Sequence, residues 1–154
     1  MKKEKILDYS IPVLSVSLVA LLGSVFVKKG MSWFEKLNKP TEWIPNAVIP
    51  VMWSVIYVVV IFYILHFIRT NQKDKRIVSL LIINGILNVL WCLVFFALHG
   101  LFLGLIVIIL NLISSVLLLK EISKKSEVYS YMLTVYPCWL SIATTLNLSC
   151  WILN

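Results

Sequence analysis

The side chains of this chain that could do chemistry are indoles, phenols and amides set inside apolar sequence. Asn84, Asn88, Trp91 and Phe95 follow i, i+4, i+7, i+11 and share one face of a helix. Trp139, Ala143, Asn147 and Trp151 step by four, with Tyr136 three residues ahead of Trp139. Trp53 and Tyr57 form a third face, one turn apart. Each stripe has a packing reading. Asn amides glue membrane helices together at about 1 kcal/mol per bond, and Trp and Tyr anchor helices at the headgroup level. Trp151 is expected to be such an anchor and Asn111 such glue. Trp53, Trp91 and Trp139 lie one to three turns inside their segments, beside other polar or aromatic residues. If their faces converge, they make an aromatic pocket with a few polar handles, the usual composition of a small-molecule site.

Other chemistries find little support. Apart from Glu127 at the very start of the fifth, the second to fifth apolar segments hold no Asp, Glu, Lys or Arg, which argues against an ion pump or ion-coupled carrier. Cys92, Cys138 and Cys150 lie in apolar sequence without a CxxC pair or Cys/His cluster, so no metal, cofactor or disulfide framework is expected. No Ser-His-Asp set or pair of carboxylates points to hydrolysis. His66 and His99 fall near segment ends, where an interfacial position is expected.

The elements that must carry these residues are membrane helices. The 154 residues are 60% hydrophobic and 14% charged, with mean hydropathy +0.95, far from the quarter-charged balance of soluble domains. About 20 helical residues cross the roughly 30 Å hydrocarbon layer. Five segments qualify, at about 10–27, 46–68, 77–98, 101–119 and 127–153. The expectation is an all-α membrane protein, a single five-transmembrane-helix bundle with a structured loop between helices 1 and 2. Ser10 and Asn46 are the expected N-caps, with Pro12 and Pro50 in the first turns. His99-Gly100 marks a tight hairpin, and Pro137 interrupts the last segment. The basic start followed by an apolar stretch resembles a signal peptide, but without a small-x-small site before Lys28 it is read as the first helix.

Ten basic residues (Lys2, Lys3, Lys5, Arg69, Lys73, Lys75, Arg76, Lys120, Lys124 and Lys125) fall on one side of this topology. Only Lys28, Lys29, Lys36 and Lys39 fall on the other. The bias predicts the N-terminus inside, and the C-terminus and first loop outside. The net charge of +7 is spread over short clusters between apolar segments. That suits anionic lipid headgroups and not nucleic acid. Gly100 and Gly104 form a GxxxG pair that lets helices approach, a possible dimer contact.

The stretch from Trp33 to Tyr57 is expected to fold as a loop passing into a pocket wall, with Trp33 in the lid and Trp53 in the wall, while Trp43 is given no role. Pro45, Asn46 and Pro50 set where loop becomes helix. With Leu37, Lys39-Pro40, Ile56-Tyr57, Leu87-Asn88, Trp91, Phe95-Phe96, Tyr136, Trp139, Ala143-Thr144, Leu146-Asn147 and Trp151, it resembles the TspO/translocator protein family, the tryptophan-rich sensory proteins, over nearly the whole chain. There are departures: the family's paired prolines are reduced to Pro45 before Asn46, Trp43 is displaced from the usual aromatic position, and Pro137 stands two residues before Trp139 instead of four. Trp151 is not followed by the usual Arg, and the cholesterol motif of animal members is absent.

The resemblance implies a five-helix bundle, usually dimeric, with a pocket beneath the first loop. It implies porphyrin, haem-type and benzodiazepine-type ligands and a role as receptor, carrier or regulator in tetrapyrrole and stress responses of a bacterial cell membrane. The site residues carried over are Trp33, Trp53, Tyr57, Asn88, Trp91, Trp139, Ala143 and Asn147; helical phase adds Asn84. Porphyrin carboxylates would reach the mouth near Lys36 and Lys39. One alternative is light- and oxygen-dependent porphyrin breakdown, with Trp53 and Trp139 as electron donors. Another is a structural scaffold whose aromatic faces serve packing alone.

Overall fold

The structure is a computed structural model describing residues 2–40, 48–72 and 74–154, with side chains from Ser10 onward. These residues form six α-helices and no strand: α1 (Lys2–Lys36), α2 (Val48–Arg69), α3 (Lys75–Cys92), α4 (Leu101–Ser123), α5 (Glu127–Leu133) and α6 (Val135–Leu153). The helices close a ring. α1 packs on α2 and α3, α3 on α4, α4 on α5 and α6, and α5 and α6 return to α2.

The outside of this ring is apolar. Leu14, Leu21, Val25, Ile86, Leu103 and Ile152 are all more than half exposed, and exposed leucine, isoleucine and valine recur along every long helix. A soluble domain does not present apolar surface on this scale. Asn84, Asn88, Asn111 and Asn147 point inward and are buried, so the polar-in, apolar-out sense suits a lipid surround. Among the described residues, four helical stretches suffice by length and composition to cross a membrane: Ser10–Lys36, Val48–Arg69, Lys75–Ala97 and Leu101–Ser123. The last segment is broken in two. Pro137 has no N–H to offer the Leu133 carbonyl and its ring crowds that group, and the helix divides at Thr134.

Two expectations for the first helix change. α1 begins at Lys2, which puts Ser10 inside the helix and not at its N-cap, and it runs on through Lys28 and Lys29 to Lys36, which makes Trp33 helical and not part of a loop. Lysines extend their ammonium heads away from apolar surface while their stems continue the helix, so a charge pair did not end it. Trp43, Pro45 and Asn46 lie outside the described residues.

The hairpin between α3 and α4 opens from a π-helical turn, Leu93–Ala97. This wider winding, with Leu98 N–H donating to Leu93 O at 3.0 Å, turns consecutive Phe95 and Phe96 both into the core. The left-handed residue in the turn is His99 (φ 58°), while Gly100 has negative φ. Stacking of the His99 ring on Trp33 at 4.3 Å offsets the steric cost of that backbone. Gly104, half of the GxxxG pair, is buried. A Cβ added there would stand 3.1 Å from Phe95 and 3.2 Å from Asn147 Oδ1, so the glycine serves helix packing within the chain.

At the opposite end α2 stops in a Schellman motif, with Gln72 N–H donating to Phe67 O, Asn71 N–H to Ile68 O, and Asn71 left-handed at φ 50°. Asp74 caps α3 by accepting from the Arg76 and Ile77 amides at 3.1 and 3.3 Å. Ion pairs Lys125–Asp74 (3.5 Å) and Arg76–Glu121 (3.2 Å) bind the α2–α3 connection to the end of α4, so these two basic regions share one end. The Ile77 amide, with the Arg76 amide and Lys125 ammonium, holds the Asp74 carboxyl below the usual carboxylate range against the opposing effect of partial desolvation. A depressed folded-state pKa contributes stability that is present above the unfolded value of about 3.9 and is lost as pH falls through the folded one. Asp74→Asn is therefore expected to melt below wild type near neutral pH, and the gap to close as pH drops below about 4. A gap constant with pH would show that the Asp74 charge contributes nothing.

Candidate functional site

The expected site residues divide between two cavities in the ring. The first, an indole cavity of about 30 Å³, is lined by Trp53 of α2, Trp91 of α3, and Trp139, Ala143 and Asn147 of α6, together with Phe34, Ile49, Phe95, Phe96 and Leu146. The second, an amide cavity of about 100 Å³, takes Tyr57, Asn84 and Asn88 along with Tyr136. Trp33 lines neither; its ring packs on His99 and edge-on to Phe95 at 5.8 Å. An aromatic partition separates the two. Trp53 lies 5.9 Å from Tyr57, 6.3 Å from Trp91 and 6.5 Å from Tyr136, centroid to centroid.

Polar groups at the partition are mostly engaged. Asn147 Oδ1 accepts from Trp91 Nε1 at 3.0 Å, and its Nδ2 donates to Leu101 O at 2.9 Å, so one amide joins α3, α4 and α6. Tyr136 donates to Asn111 Oδ1 at 3.3 Å, the interhelical role expected of Asn111. Tyr57 donates to Asn88 Oδ1 at 3.5 Å, the long limit of such a bond. Trp139 is the exception in the indole cavity. It is 4% exposed, and its buried Nε1 has no partner among the described residues. A buried N–H left unpaired costs about 1–3 kcal/mol, a cost that a bound acceptor removes.

Above the indole cavity, the chain after α1 is tied to the end of α6. Asn38 N–H donates to Asn154 Oδ1 at 3.0 Å, and Asn154 Nδ2 donates to Asn38 O at 2.9 Å. Lys39 turns back on α1. Its ammonium donates to Phe34 O (2.7 Å) and Glu35 O (3.2 Å) and lies 4.6 Å over the Phe34 ring. It thus satisfies carbonyls at the C-terminal, negative end of the helix dipole, while Lys36 stands exposed in the last turn.

Phe34, Phe96 and Leu146 were absent from the expected lining. Phe34 was hidden by reading residues 28–40 as loop, since its inward position follows from α1 continuing one turn beyond Gly30. Phe96 faces the cavity only because of the π turn, which no spacing rule signals. Among the described residues no group of His, Cys, Asp or Glu is arranged to hold a metal ion.

A ring of apolar helices around aromatic-lined cavities defines a membrane-embedded bundle with uncharged internal cavities. The TspO/MBR family profile matches residues 11–152, and the chain belongs to that family. It is accordingly a multi-pass membrane protein. It is 30% identical over 140 residues to the tryptophan-rich protein TspO of Chlorobaculum tepidum, covering 88% of this chain and 89% of the relative. It is 28% identical to protein CrtK of Rhodobacter capsulatus over 126 residues, covering 80% and 79%. The TspO of Archaeoglobus fulgidus is 28% identical over 145 residues, covering 92% and 94%.

Proposed function

We propose that the indole cavity binds porphyrins and other tetrapyrroles, and flat benzodiazepine-type molecules, and that the protein acts as receptor, carrier or regulator in tetrapyrrole and stress responses. The observation that carries this reading is Trp139 Nε1, buried without a partner among the described residues in a side chain that lines, with Trp53 and Trp91, a cavity walled by aromatic faces. At about 30 Å³ the cavity is closed around its own side chains. A macrocycle enters as the half-buried Ile49, Trp53 and Leu146 swing outward, its propionates toward Lys36 and its pyrrole nitrogens toward Trp139. In this reading α5 and α6 together make the fifth span of a homodimeric bundle in a bacterial cell membrane. The α2–α3 and α4–α5 connections lie inside, the α1–α2 connection outside, following the positive charge.

Protoporphyrin titrated into the purified protein in the dark is expected to saturate, and Trp139→Phe to weaken binding about tenfold, the loss of one buried hydrogen bond. Absence of saturable binding overturns the proposal and leaves the aromatic faces a packing role.

A second reading is favoured by the Trp53–Trp91 ring contact at 6.3 Å, which lets an oxidised indole pass its electron hole onward. Here Trp53 or Trp139 donates an electron to a photoexcited macrocycle, and dioxygen bonds to a ring carbon of the resulting anion radical. The indole radical takes one electron back, so the porphyrin gains both oxygen atoms as the ring opens and the indole is restored. Illumination would then bleach bound porphyrin in wild type but not in whichever of Trp53→Phe and Trp139→Phe lacks the donor. Equal bleaching in all three would remove the tryptophans from that chemistry.

A further inference from the structure

The amide cavity is larger than the indole cavity, and it is lined by all the long elements of the ring: Ser15 and Val19 of α1, Tyr57 of α2, Asn84 and Gly85 of α3, Leu118 of α4 and Tyr136 of α6. Asn84 is 4% exposed; its Nδ2 donates to Leu80 O at 2.8 Å, and its Oδ1 is buried without a partner among the described residues. The hydroxyls around it are already donating: Ser15 to Pro12 O, Tyr57 to Asn88 Oδ1, and Tyr136 to Asn111 Oδ1. What the cavity lacks is therefore a donor at Asn84 Oδ1, and the remaining lining is largely valine, leucine and isoleucine.

We propose that the amide cavity is a second binding site, separate from the indole cavity, for a compact apolar molecule carrying one O–H or N–H donor, of phenol size or smaller. The donor satisfies Asn84 Oδ1 and the apolar body fills the space toward Val60, Leu81 and Leu118. The enclosed volume of about 100 Å³ is smaller than the roughly 150 Å³ of an apolar cavity that accepts benzene. A phenol-sized ring is therefore the upper limit and keeps its far edge in the seam between α1 and α3. Entry is from the lipid, between α1 and α3, where Ser15 is exposed and Val19 and Gly85 are partly exposed. Gly85 keeps this seam narrow and leaves little room to spare, because a Cβ there would stand 3.3 Å from Val19 Cγ2. A molecule dissolved in the bilayer thus reaches the site without passing the Asn38–Asn154 contact above the other cavity.

The test uses the full chain in detergent micelles without porphyrin, with 4-fluorophenol and fluorobenzene as probes followed by 19F NMR against protein-free micelles. Wild type is expected to bind 4-fluorophenol saturably and about tenfold more tightly than fluorobenzene, which has the same body but no donor. Asn84→Leu should equalise the two probes, and Leu81→Phe, which fills the cavity, should remove saturable binding of both. Equal affinities in wild type, or no saturable component, would overturn the proposal. So would binding that survives Leu81→Phe yet is lost in Trp139→Phe, since that locates the probe in the indole cavity. The wild-type comparison of the two probes needs no variant and stands even if Asn84→Leu fails to fold. Porphyrin is absent throughout, so the outcome is independent of the reading of the indole cavity.

Discussion

Replacing Gly30 with alanine is expected to prevent the bundle from closing, or to lower its melting temperature more than any other one-carbon addition at its glycines. Gly30 lies where α1 crosses the π turn after α3. A Cβ built there would sit 2.8 Å from Phe96 Cα and closer still to the Phe96 carbonyl. The neighbour is backbone, so no rotamer change relieves the clash, and either α1 or the π turn must move. Overpacking of a core costs about 1–3 kcal/mol where side chains can adjust, and here the cost falls at or above the top of that range. Moving the π turn would also displace Phe95 and Phe96, two walls of the indole cavity. Gly23 on the same helix provides the control, because its added Cβ would meet only Cys92 Sγ at 3.4 Å, ordinary contact. Gly23→Ala should be near neutral or slightly stabilising, alanine being the better helix former by about 0.5–1 kcal/mol. Thermal unfolding by circular dichroism in detergent checks both, and equal melting of the two variants would contradict the account.

The helical faces were legible because a period of 3.6 survives in any environment. Asn84, Asn88, Trp91 and Phe95 do share a buried face, and Tyr136, Trp139, Ala143 and Asn147 do share another. Their division into two cavities was not legible. In lipid the outside of a bundle is as apolar as its core, so hydrophobicity does not report which faces converge. That depends on the order of helices around the ring and on the tilt that brings Trp53 against Trp91 and Tyr136. The length of α1 was hidden for a related reason: Lys28 and Lys29 mark an interface by charge, whereas the helix ends only after Lys36, with Lys39 turning back on its last carbonyls. The π turn left no signal, since LVFFA reads as unbroken α-helix. Pro137, by contrast, gave the break in the last segment in advance, displaced to Thr134 because the carbonyl it deprives lies four residues upstream.

Asn147→Leu is expected to destabilise the protein by about 1–3 kcal/mol, the cost of a buried donor stripped of its acceptor. The replacement keeps the branched skeleton but is bulkier, and Gly104 packs close to Asn147 Oδ1. A steric cost therefore adds to the polar one, and the double-mutant cycle below is what isolates the latter. The substitution leaves Trp91 Nε1 and Leu101 O without the amide that now bridges them, at 3.0 and 2.9 Å. Interhelical hydrogen bonds within membranes measure lower on average, about 0.6 kcal/mol with a maximum near 1.7, because unpacked helices find other partners. Asn147 should stand at the high end of that range, since it is 1% exposed and serves three helices at once. A double-mutant cycle with Trp91→Phe separates the contributions. Trp91→Phe alone removes the indole N–H, and in that background Asn147→Leu no longer strands it. The second substitution should therefore cost less than it does in wild type, by about 1 kcal/mol, in unfolding free energies measured in the same detergent. Strict additivity would mean that the Trp91–Asn147 bond contributes no net stability, and that Asn147 acts through the Leu101 carbonyl alone.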